Sequence, residues 1–560
     1  MTATAVVLVS ILTVVVGTFG LRRARTTGDF YVASRTVTPR WNAAAIGGEY
    51  LSGASFLGIA GLILAYGYDA LWYPVCYTAG YLILLAVVAA PLRRSGAYTL
   101  PDFAQIRLES IAVRRVAGVL VVIIGWLYLV PQLEGAGLAL TTQTGAPRWV
   151  GGLIVVAVVL TAVTAGGMRS ITFAQAIQYW IKLMALLIPA VVLLGVWHHG
   201  GLSERRPVSV TVHSAETVHV PVAESLTVRG AVDGRPVDGP TFLPAGPHRL
   251  APGTTVDLRP GDTVPVIASR PVNDSASWLR PLGSGTPHPL YASLSLIVGI
   301  CLGTMGLPHV LVRFYTNSDG RDSRRTTLVV IGLLSMFYLL PTVFGTLGRH
   351  YVPDLLLTGD TDTTALLLPE RMLGGAAGVW LSSLVTAGAF AAFLSTVSGL
   401  TVSVAGVLGQ DLFRDTRATR RLRIRSFRLG AILALSVPYA LSLPTERLGV
   451  AAVVALAFTV AASTFCPLLV LGIWWRRLTD AGALAGMAAG GGMSLFAVLL
   501  TLVNDDPAGW LGVLLRQPAV WTVPIAFAVM IVGSLASPER VPGSVGRFMI
   551  RLHAPEMPHR

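Results

Sequence analysis

Thirteen long apolar runs follow one another along the sequence, and this repetition constrains the fold more than any other feature. The runs begin near residues 2, 41, 71, 116, 149, 171, 289, 326, 376, 427, 448, 480 and 516. Each run covers about 18 to 25 residues, the length that a helix needs to cross a bilayer. Hydrophobic residues make up 53% of the chain and charged residues only 12%, which is more apolar surface than a water-soluble protein can bury. The sequence therefore predicts an all-α, polytopic membrane protein with about 13 transmembrane helices.

The positions of the Arg residues predict the orientation of these helices. The net charge of +14 lies in short connections such as "LRRARTTGDF", "GGMRS" and "DLFRDTRATRRLRIR", and not on a surface suited to nucleic acid. Cytoplasmic loops are enriched in Arg and Lys, so we predict that the odd-numbered connections are cytoplasmic. The first run has its charges after it, unlike a cleavable signal. We expect a multi-pass protein of a bacterial-type plasma membrane, with the N-terminus outside, the C-terminus cytoplasmic, and no nucleic-acid or obligate protein partner.

The segment 198–289 interrupts the series of apolar runs. Its first part, "PVSVTVHSAETVHVPV" (207–222), alternates apolar and polar residues, as a half-buried strand does. Turn signals follow at "DGRPVDGP" (233–240) and "RPGD" (259–262). We predict a small, β-rich extracytoplasmic insert, which is either a decorated loop or a module that captures substrate or a partner.

The stretch "GGEYLSGASFLGIAG" (47–61) places glycines and a carboxylate, Glu49, in the middle of the second apolar run. An interrupted helix survives in a membrane only where it lines a cavity, and its freed carbonyls can bind a cation. The alternative is that these small residues only allow close helix packing. The residues alone leave both interpretations open.

A second interruption is predicted in the seventh run, "YASLSLIVGICLGTMGLPHVLVRFYT" (291–316). Pro308 removes a backbone hydrogen bond, and glycines precede it. His309 is either a proton-coupling group or a packing residue. Without the first helix, the two broken spans are the first and the sixth, which is the pattern of an inverted repeat of five plus five helices.

The motifs together resemble those of the sodium/solute symporter family. They are "GDFYVASR" (28–35), "EYLSGASFLG" (49–58), "GGMRSITFAQAIQYW" (166–180), "GLPHVLVRFYT" (306–316) and "FLSTVSGL" (393–400). The resemblance covers all thirteen runs and excludes the insert. Within the family, "YLSGASFLGI" and "GLPHVLVRFYT" look most like the cation/acetate (monocarboxylate) symporters.

This resemblance implies a LeuT-like fold, a 5+5 inverted repeat with one extra N-terminal and two extra C-terminal helices. The domain division would be 1–197 for the extra helix and the first repeat, 198–289 for the insert, 290–477 for the second repeat, and 478–560 for the last two helices and a short tail. It also implies sodium as the coupling ion, with no other cofactor. The sodium ligands would be the carbonyls of Gly48, Leu51 and Ala392 and the hydroxyls of Ser395 and Thr396.

The same resemblance places the substrate beside the two interruptions. Its binding residues would be Tyr50, Ser55, Tyr77, Cys301, Thr304 and Met305. No Arg is expected deep in the second or seventh run, so half-helix ends and the hydroxyls of Ser55 and Thr304 would hold a carboxylate. Some relatives have an Asp where this chain has Gln175, which implies one coupling ion.

Three ionisable residues inside apolar runs are candidates for coupling, because such groups are costly in a membrane. They are Glu49, Glu134 and Lys182, which could pair with one another. Alternatively, Lys182 extends along its helix toward the membrane surface and Glu134 faces a vestibule.

We therefore expect a secondary active transporter, and not an enzyme, that couples inward sodium movement to uptake of a short monocarboxylate (acetate, propionate, pyruvate) by alternating access. The alternatives are a symporter of the same family for another solute such as proline, and proton-coupled monocarboxylate uptake. A receptor is disfavoured because only a short tail follows the last run. A membrane enzyme is disfavoured because the acidic groups "NDD" (504–506) and "GDTD" (359–362) have no His, Lys or metal cluster beside them.

Overall fold

The structure is a computed structural model that describes residues 1–19, 38–201, 205–268, 270, 275–282, 288–317, 319–411, 420–444, 449–503 and 509–554. The motif "GDFYVASR" and the acidic group "NDD" lie outside the described residues.

Helices make up most of the described chain. They are α1 (Thr2–Phe19), α2 (Pro39–Tyr50), α3 (Ile59–Tyr66), α4 (Trp72–Val87), α5 (Ala89–Arg94), α6 (Leu100–Leu108), α7 (Ile111–Thr144), α8 (Arg148–Gly200), α9 (Ser275–Trp278), α10 (Pro289–Gly306), α11 (Pro308–Phe314), α12 (Gly320–Tyr351), α13 (Leu355–Thr358), α14 (Thr364–Leu373), α15 (Gly375–Asp411), α16 (Arg420–Ser442), α17 (Val450–Trp474), α18 (Asp480–Val503), α19 (Gly509–Arg516), α20 (Ala519–Leu535) and α21 (Val545–His553).

Among the described residues, nine helical segments are long and apolar enough to cross a membrane, or ten if the bent pair α19 and α20 forms one span. This confirms the predicted all-α, polytopic membrane fold, while the count of thirteen stays a prediction. The helix α8 contains two of these segments, Arg148–Ala165 and Ser170–Gly200. The predicted connection "GGMRS" between them is itself helical.

Local signals in the sequence explain several helix boundaries. The hydroxyl of Ser110 accepts from the backbone N–H of Val113 at the start of α7, and Oδ1 of Asp319 accepts from that of Asp322 at 2.6 Å at the start of α12. Such side chains satisfy N–H groups that have no partner in the first turn. Gly145 ends α7 with φ of 72°, a conformation that suits glycine.

The first predicted interruption lies between α2 and α3. The helix α2 ends at Tyr50, and Leu51 has ψ of 81°, outside the helical range. A π-helical turn, Ala54–Gly58, then leads into α3. The N–H of Gly53 donates to Oε1 of Gln132 in α7 at 2.9 Å, so a side chain replaces the missing acceptor of the helix.

The second interruption lies between α10 and α11, at a single residue. Leu307 is extended, with φ of −74° and ψ of 115°, and Pro308 begins α11. Proline disfavours the helical conformation of the residue before it, which explains why the break falls at Leu307.

The predicted β-rich insert is present as one antiparallel sheet. Its strands are β1 (Val208–Thr211), β2 (Glu216–Val220), β3 (Glu224–Val232), β4 (Arg235–Leu243), β5 (Gly246–Leu250), β6 (Thr255–Leu258) and β7 (Val266–Ile267), in the order β1-β6-β3-β5-β2-β7, with β4 paired to β3. Asp233 and Gly234 form the β3–β4 turn with φ of 50° and 76°, as a two-residue hairpin requires. Most of the predicted turn "DGRPVDGP" therefore belongs to β4.

The sheet is tied to the helix bundle at the end of α3. Val266 packs with Leu64 and Ala65 in a small hydrophobic cluster. After the sheet, the indole N–H of Trp278 donates to the carbonyls of Ile63 at 2.9 Å and Leu64 at 3.1 Å. The insert is thus attached to one half of the first broken helix.

Candidate functional site

The first break presents its backbone carbonyls to α15, and all five predicted cation-site residues come together there. The Ser395 hydroxyl lies 2.6 Å from the carbonyl of Gly48 and 3.0 Å from that of Ala392. The Thr396 hydroxyl donates to the carbonyl of Glu49 at 2.7 Å. Ser395 and Thr396 are fully buried.

The group at the centre of this arrangement is the side chain of Lys182, which extends from α8. Its ammonium donates to the carbonyl of Gly48, to the carbonyl of Leu51 at 2.7 Å and to the Ser395 hydroxyl at 2.8 Å. Lys182 is fully buried. We call the three acceptors, the oxygens of Gly48, Leu51 and Ser395, the oxygen cage. Lys182 thus does not extend toward the membrane surface.

A second buried charge, Arg313 in α11, lies next to the oxygen cage. Its Nε donates to the Glu49 carboxylate at 2.5 Å and its Nη1 donates to the Thr172 hydroxyl at 2.7 Å. Its Nη2 donates to the side-chain oxygen of Gln175, and the Gln175 amide donates to the carbonyl of Ser395 at 2.7 Å. This network connects the end of the first broken helix to α8, α11 and α15.

The position of Arg313 shows that two expectations from the sequence were wrong. No Arg was expected deep in the seventh apolar run, yet Arg313 is only 1% exposed. Glu49 was a candidate partner for Lys182 or Glu134, but it forms an ion pair with Arg313. The reason is that α11 packs against α2 after the break at Leu307, so Arg313 points inward and not to a cytoplasmic loop.

Glu134, the third candidate for coupling, lies away from the oxygen cage. It lines a cavity of about 440 Å³ together with Arg148, Trp149 and Tyr439. The structure therefore places Glu134 at a cavity and not beside Lys182, and its role in coupling stays a prediction.

Three of the predicted substrate-binding residues contact one another. The Tyr50 hydroxyl lies 3.1 Å from the carbonyl of Tyr77 and 3.1 Å from the Thr304 hydroxyl. The Ser55 hydroxyl is hydrogen-bonded to the hydroxyl of Tyr338 at 3.0 Å, and the Tyr338 ring stacks on that of Tyr77 with 5.8 Å between centroids.

The remaining two predicted residues lie on α10 beside Thr304. The Cys301 thiol lies 3.7 Å from the carbonyl of Cys76, next to Tyr77 in the chain. Met305 is 1% exposed. All six predicted positions therefore lie on α2, the π-helical turn, α4 and α10, which meet at the two breaks.

Several residues of this cluster were not predicted. Tyr81 packs against Tyr50 with ring centroids 4.7 Å apart. The ring centroid of Phe458 lies 5.2 Å from that of Tyr77, and the ring centroid of Tyr128 lies 5.1 Å from that of His309. These aromatic residues occur singly within apolar runs, so no motif marked them. We call Tyr50, Tyr77, Tyr81, Tyr128, Phe458 and Tyr338 the tyrosine cluster.

Two hydroxyls of the tyrosine cluster and the ring of the neighbouring His309 have no hydrogen-bond partner among the described residues. The hydroxyls of Tyr77 and Tyr81 and both ring nitrogens of His309 are buried without a hydrogen bond to any described residue. Buried polar groups normally have partners, so these three side chains are available to bind a polar ligand. His309 itself packs on the edge of Tyr128, and both interpretations of this residue, proton coupling and packing, stay predictions.

The chain is similar to known transporters over almost its whole length. The sequence profile of the sodium:solute symporter family matches residues 30–490. The chain is 29% identical over 541 residues to the uncharacterized symporter YwcA of Bacillus subtilis, covering 94% of this chain and 93% of that protein. It is also 29% identical over 525 residues to a monocarboxylic acid transporter of Corynebacterium glutamicum, covering 90% and 86%.

Solved structures give the same fold. A Na⁺-coupled sialic acid symporter in a substrate-bound, outward-open state superposes with a TM-score of 0.65 at 12% identity, covering 96% of this chain and 97% of that chain. A nucleobase-cation-symport-1 family transporter in a closed conformation superposes with a TM-score of 0.52 at 12% identity, covering 94% and 99%. The LeuT-like fold is therefore confirmed. The chain belongs to the sodium:solute symporter family, a family of transporters and not of enzymes.

Proposed function

We propose that the protein is a secondary active symporter that couples the inward movement of a cation to the uptake of a short monocarboxylate such as acetate, propionate or pyruvate. Membership of the family supports symport and sodium coupling. The similarity to a monocarboxylic acid transporter supports the substrate class.

One observation carries this proposal: a single turn of chain contributes to both the oxygen cage and the tyrosine cluster. The carbonyls of Gly48 and Leu51 face Lys182, while the hydroxyl of Tyr50, between them in sequence, contacts Tyr77 and Thr304. A change in the oxygen cage therefore moves Tyr50 directly. This geometry supports coupling, because one turn of chain contacts both the ammonium in the oxygen cage and the proposed substrate-binding residues.

The tyrosine cluster suits a small carboxylate with an apolar tail. A carboxylate accepts hydrogen bonds and donates none, and the unpartnered hydroxyls of Tyr77 and Tyr81 are donors. The Phe458 ring beside Tyr77 offers an apolar surface for one or two methyl groups. Arg313 is already paired with Glu49, so the substrate is held by neutral donors, which favours release over very tight binding.

The transport cycle follows from these positions. The substrate binds to the hydroxyls of Tyr77 and Tyr81 beside the two breaks, in a space that closes as α2 and α3 pack against α10. Helices pack in a few discrete arrangements, and a ligand shifts the protein among them only by differential binding. The cation gradient sets the direction of transport, because the cation binds more often from the outside and is released more often to the inside.

The substrate is tested by uptake of labelled pyruvate into proteoliposomes under an inward sodium gradient, an inward proton gradient or neither. Pyruvate is preferred to acetate because acetic acid crosses a bilayer unaided. We expect accumulation under a cation gradient, competition by unlabelled propionate and none by proline, with protein-free liposomes as the control. Accumulation of labelled proline in place of pyruvate would contradict the proposed substrate.

The site is tested by removing single hydroxyls. Tyr81→Phe removes a buried hydroxyl that has no partner, so the folded protein loses no hydrogen bond and its unfolding temperature is unchanged or slightly higher. The substrate loses a donor, and we expect KM to rise about tenfold, equivalent to about 1.4 kcal/mol. Tyr439→Phe, in the cavity beside Glu134, is the matched control and leaves KM unchanged. Equal KM values in both variants would exclude Tyr81 from the binding site.

A further inference from the structure

The oxygen cage is built for a small cation, and the chain fills it with one of its own side chains. Three oxygens, from Gly48, Leu51 and Ser395, converge on the ammonium of Lys182. An ammonium has three donors and no acceptor, so its donors match the three acceptors one to one. The same carbonyl and hydroxyl oxygens are ligands suited to hard metal cations.

The composition of the chain makes this lysine unusual. Lys182 is the only lysine in the sequence, and all other basic residues among the 42 are Arg. The guanidinium of Arg is a planar fork, whereas the ammonium of Lys is a compact point charge. All the remaining Lys-or-Arg positions of the chain are Arg. The single Lys lies in the oxygen cage, and its head group resembles a monovalent metal ion.

Among the described residues, the acidic group that acts on Lys182 is already paired with another cation. Glu49, on the broken helix, is the acidic group that interacts with Lys182. That carboxylate is already bound by Arg313 from α11, while α15 contributes only the neutral hydroxyls of Ser395 and Thr396. A sodium ion bound to the same three oxygens would therefore take the position of the Lys182 ammonium, and the described residues around it offer no further carboxylate to offset a second positive charge.

We propose that Lys182 is a tethered cation that takes the place of sodium in the oxygen cage and excludes free sodium from it. This inference rests on the proposed function, because it takes the oxygen cage to be the place where a symporter of this fold would otherwise bind its coupling cation. It follows that a sodium ion that drives uptake binds outside the oxygen cage. The residue is thus a determinant of cation specificity and not a ligand of the coupling ion.

The first test uses thermal unfolding of the purified full-length protein in sodium chloride and in choline chloride of equal ionic strength. A ligand that binds only the folded state raises its stability with the logarithm of ligand concentration. We expect Ser395→Ala to leave any sodium response of the wild type unchanged, because sodium does not enter the filled oxygen cage. Lys182→Ala empties the oxygen cage, so its unfolding temperature should rise more steeply with sodium than that of the wild type. Adding Ser395→Ala to that variant should abolish the additional rise.

Every other pattern overturns the proposal. A sodium response in the wild type that Ser395→Ala removes would mean that sodium displaces the lysine from the oxygen cage. A response of equal size in the wild type and Lys182→Ala would mean that sodium binds independently of Lys182. No response in either protein would mean that the oxygen cage is not a cation site.

The second test needs no variant, which matters if Lys182→Ala fails to fold. Labelling with ¹³C-lysine places a single lysine signal in the NMR spectrum, because the chain has one lysine. We expect the ε-carbon signal of Lys182 to keep its chemical shift when sodium replaces choline. A sodium-induced change in that signal would overturn the proposal. Neither test contains a carboxylate, so failure of the proposed substrate would leave both results interpretable.

Discussion

The two helix breaks are joined by the hydrogen bond between Tyr50 and Thr304, yet they are stabilised in different ways. In the first break, the chain leaves the helix at Leu51, and its carbonyls are bound by Lys182 from α8 and by hydroxyls from α15. In the second break, only Leu307 is non-helical. The first break depends on polar groups from other helices, whereas the second depends on its own proline and on close packing.

The packing at the second break is visible at its glycines. A Cβ atom on Gly303 would overlap the carbonyl oxygen of Phe458, and one on Gly306 would overlap that of Ala461. The glycines of the first break also allow close approach, since a Cβ on Gly48 would overlap the carbonyl of Gln175. Both interpretations of these glycines, a break and close packing, therefore hold at the first break. The first break thus combines close packing with partners for its carbonyls.

The largest loss of stability is expected from breaking the ion pair between Glu49, at the first break, and Arg313, after the second break. Arg313→Ala leaves the Glu49 carboxylate buried without its ion-pair partner, which costs about 3–5 kcal/mol. We expect little folded protein, measured as the unfolding temperature and the yield of monodisperse material in detergent. Arg229→Ala is the control, because its pairs with Asp238 and Asp257 lie on the exposed sheet and are worth about 0–1 kcal/mol. Similar unfolding temperatures for the two variants would refute the structural role of the Glu49–Arg313 pair.

An intermediate loss of stability is expected from adding a methyl group at a tightly packed glycine near the second break. Gly303→Ala forces α10 away from the Phe458 carbonyl, which costs about 1–3 kcal/mol. Gly332→Ala on α12 meets no atom within 4 Å and should be neutral or stabilising, because alanine favours a helix. The two unfolding temperatures are compared in the same salt. If Gly303→Ala proved as stable as Gly332→Ala, close packing would not explain the second break.

The smallest effect is expected from removing one hydroxyl from the first break. Thr396→Val deletes the donor to the Glu49 carbonyl at 2.7 Å, a loss of about 1 kcal/mol. Thr401→Val, on the same helix, is the matched control, because its hydroxyl bonds only to the carbonyl of Val397, one turn earlier. Unfolding temperature and pyruvate KM are measured for both. A larger change in unfolding temperature or in pyruvate KM for Thr401→Val than for Thr396→Val would contradict the role of the Thr396 hydroxyl at the first break.

The fold was largely predictable because its signals are local. Apolar runs of bilayer length, the proline at 308 and the strand alternation at 207–222 each concern neighbouring residues. The interruption at Leu307 follows directly from Pro308. The length of α8 was not predicted, because the glycines of "GGMRS" indicated a connection, whereas the backbone there is helical.

The site was predictable only in part, because it depends on how distant helices meet. The hydroxyls of Ser395 and Thr396 stood out in an apolar run, and they do face the first break. The position of Lys182 required the packing of α8 against α2, which the sequence does not specify. No Arg was expected deep in the seventh run for the same reason, since only the packing of α11 turns Arg313 toward Glu49.

The attachment of the β-sheet to α3 has a practical consequence. Val266 packs on α3, and Trp278 donates to the carbonyls of Ile63 and Leu64. A tilt of this half of the broken helix would therefore act on the sheet, which also packs on Leu357 of α13. A fluorophore at the exposed residue Asp238 would therefore report the angle of α3 from outside the helix bundle. Single-molecule distance measurements from that fluorophore would show whether the sheet moves when α3 tilts during the transport cycle.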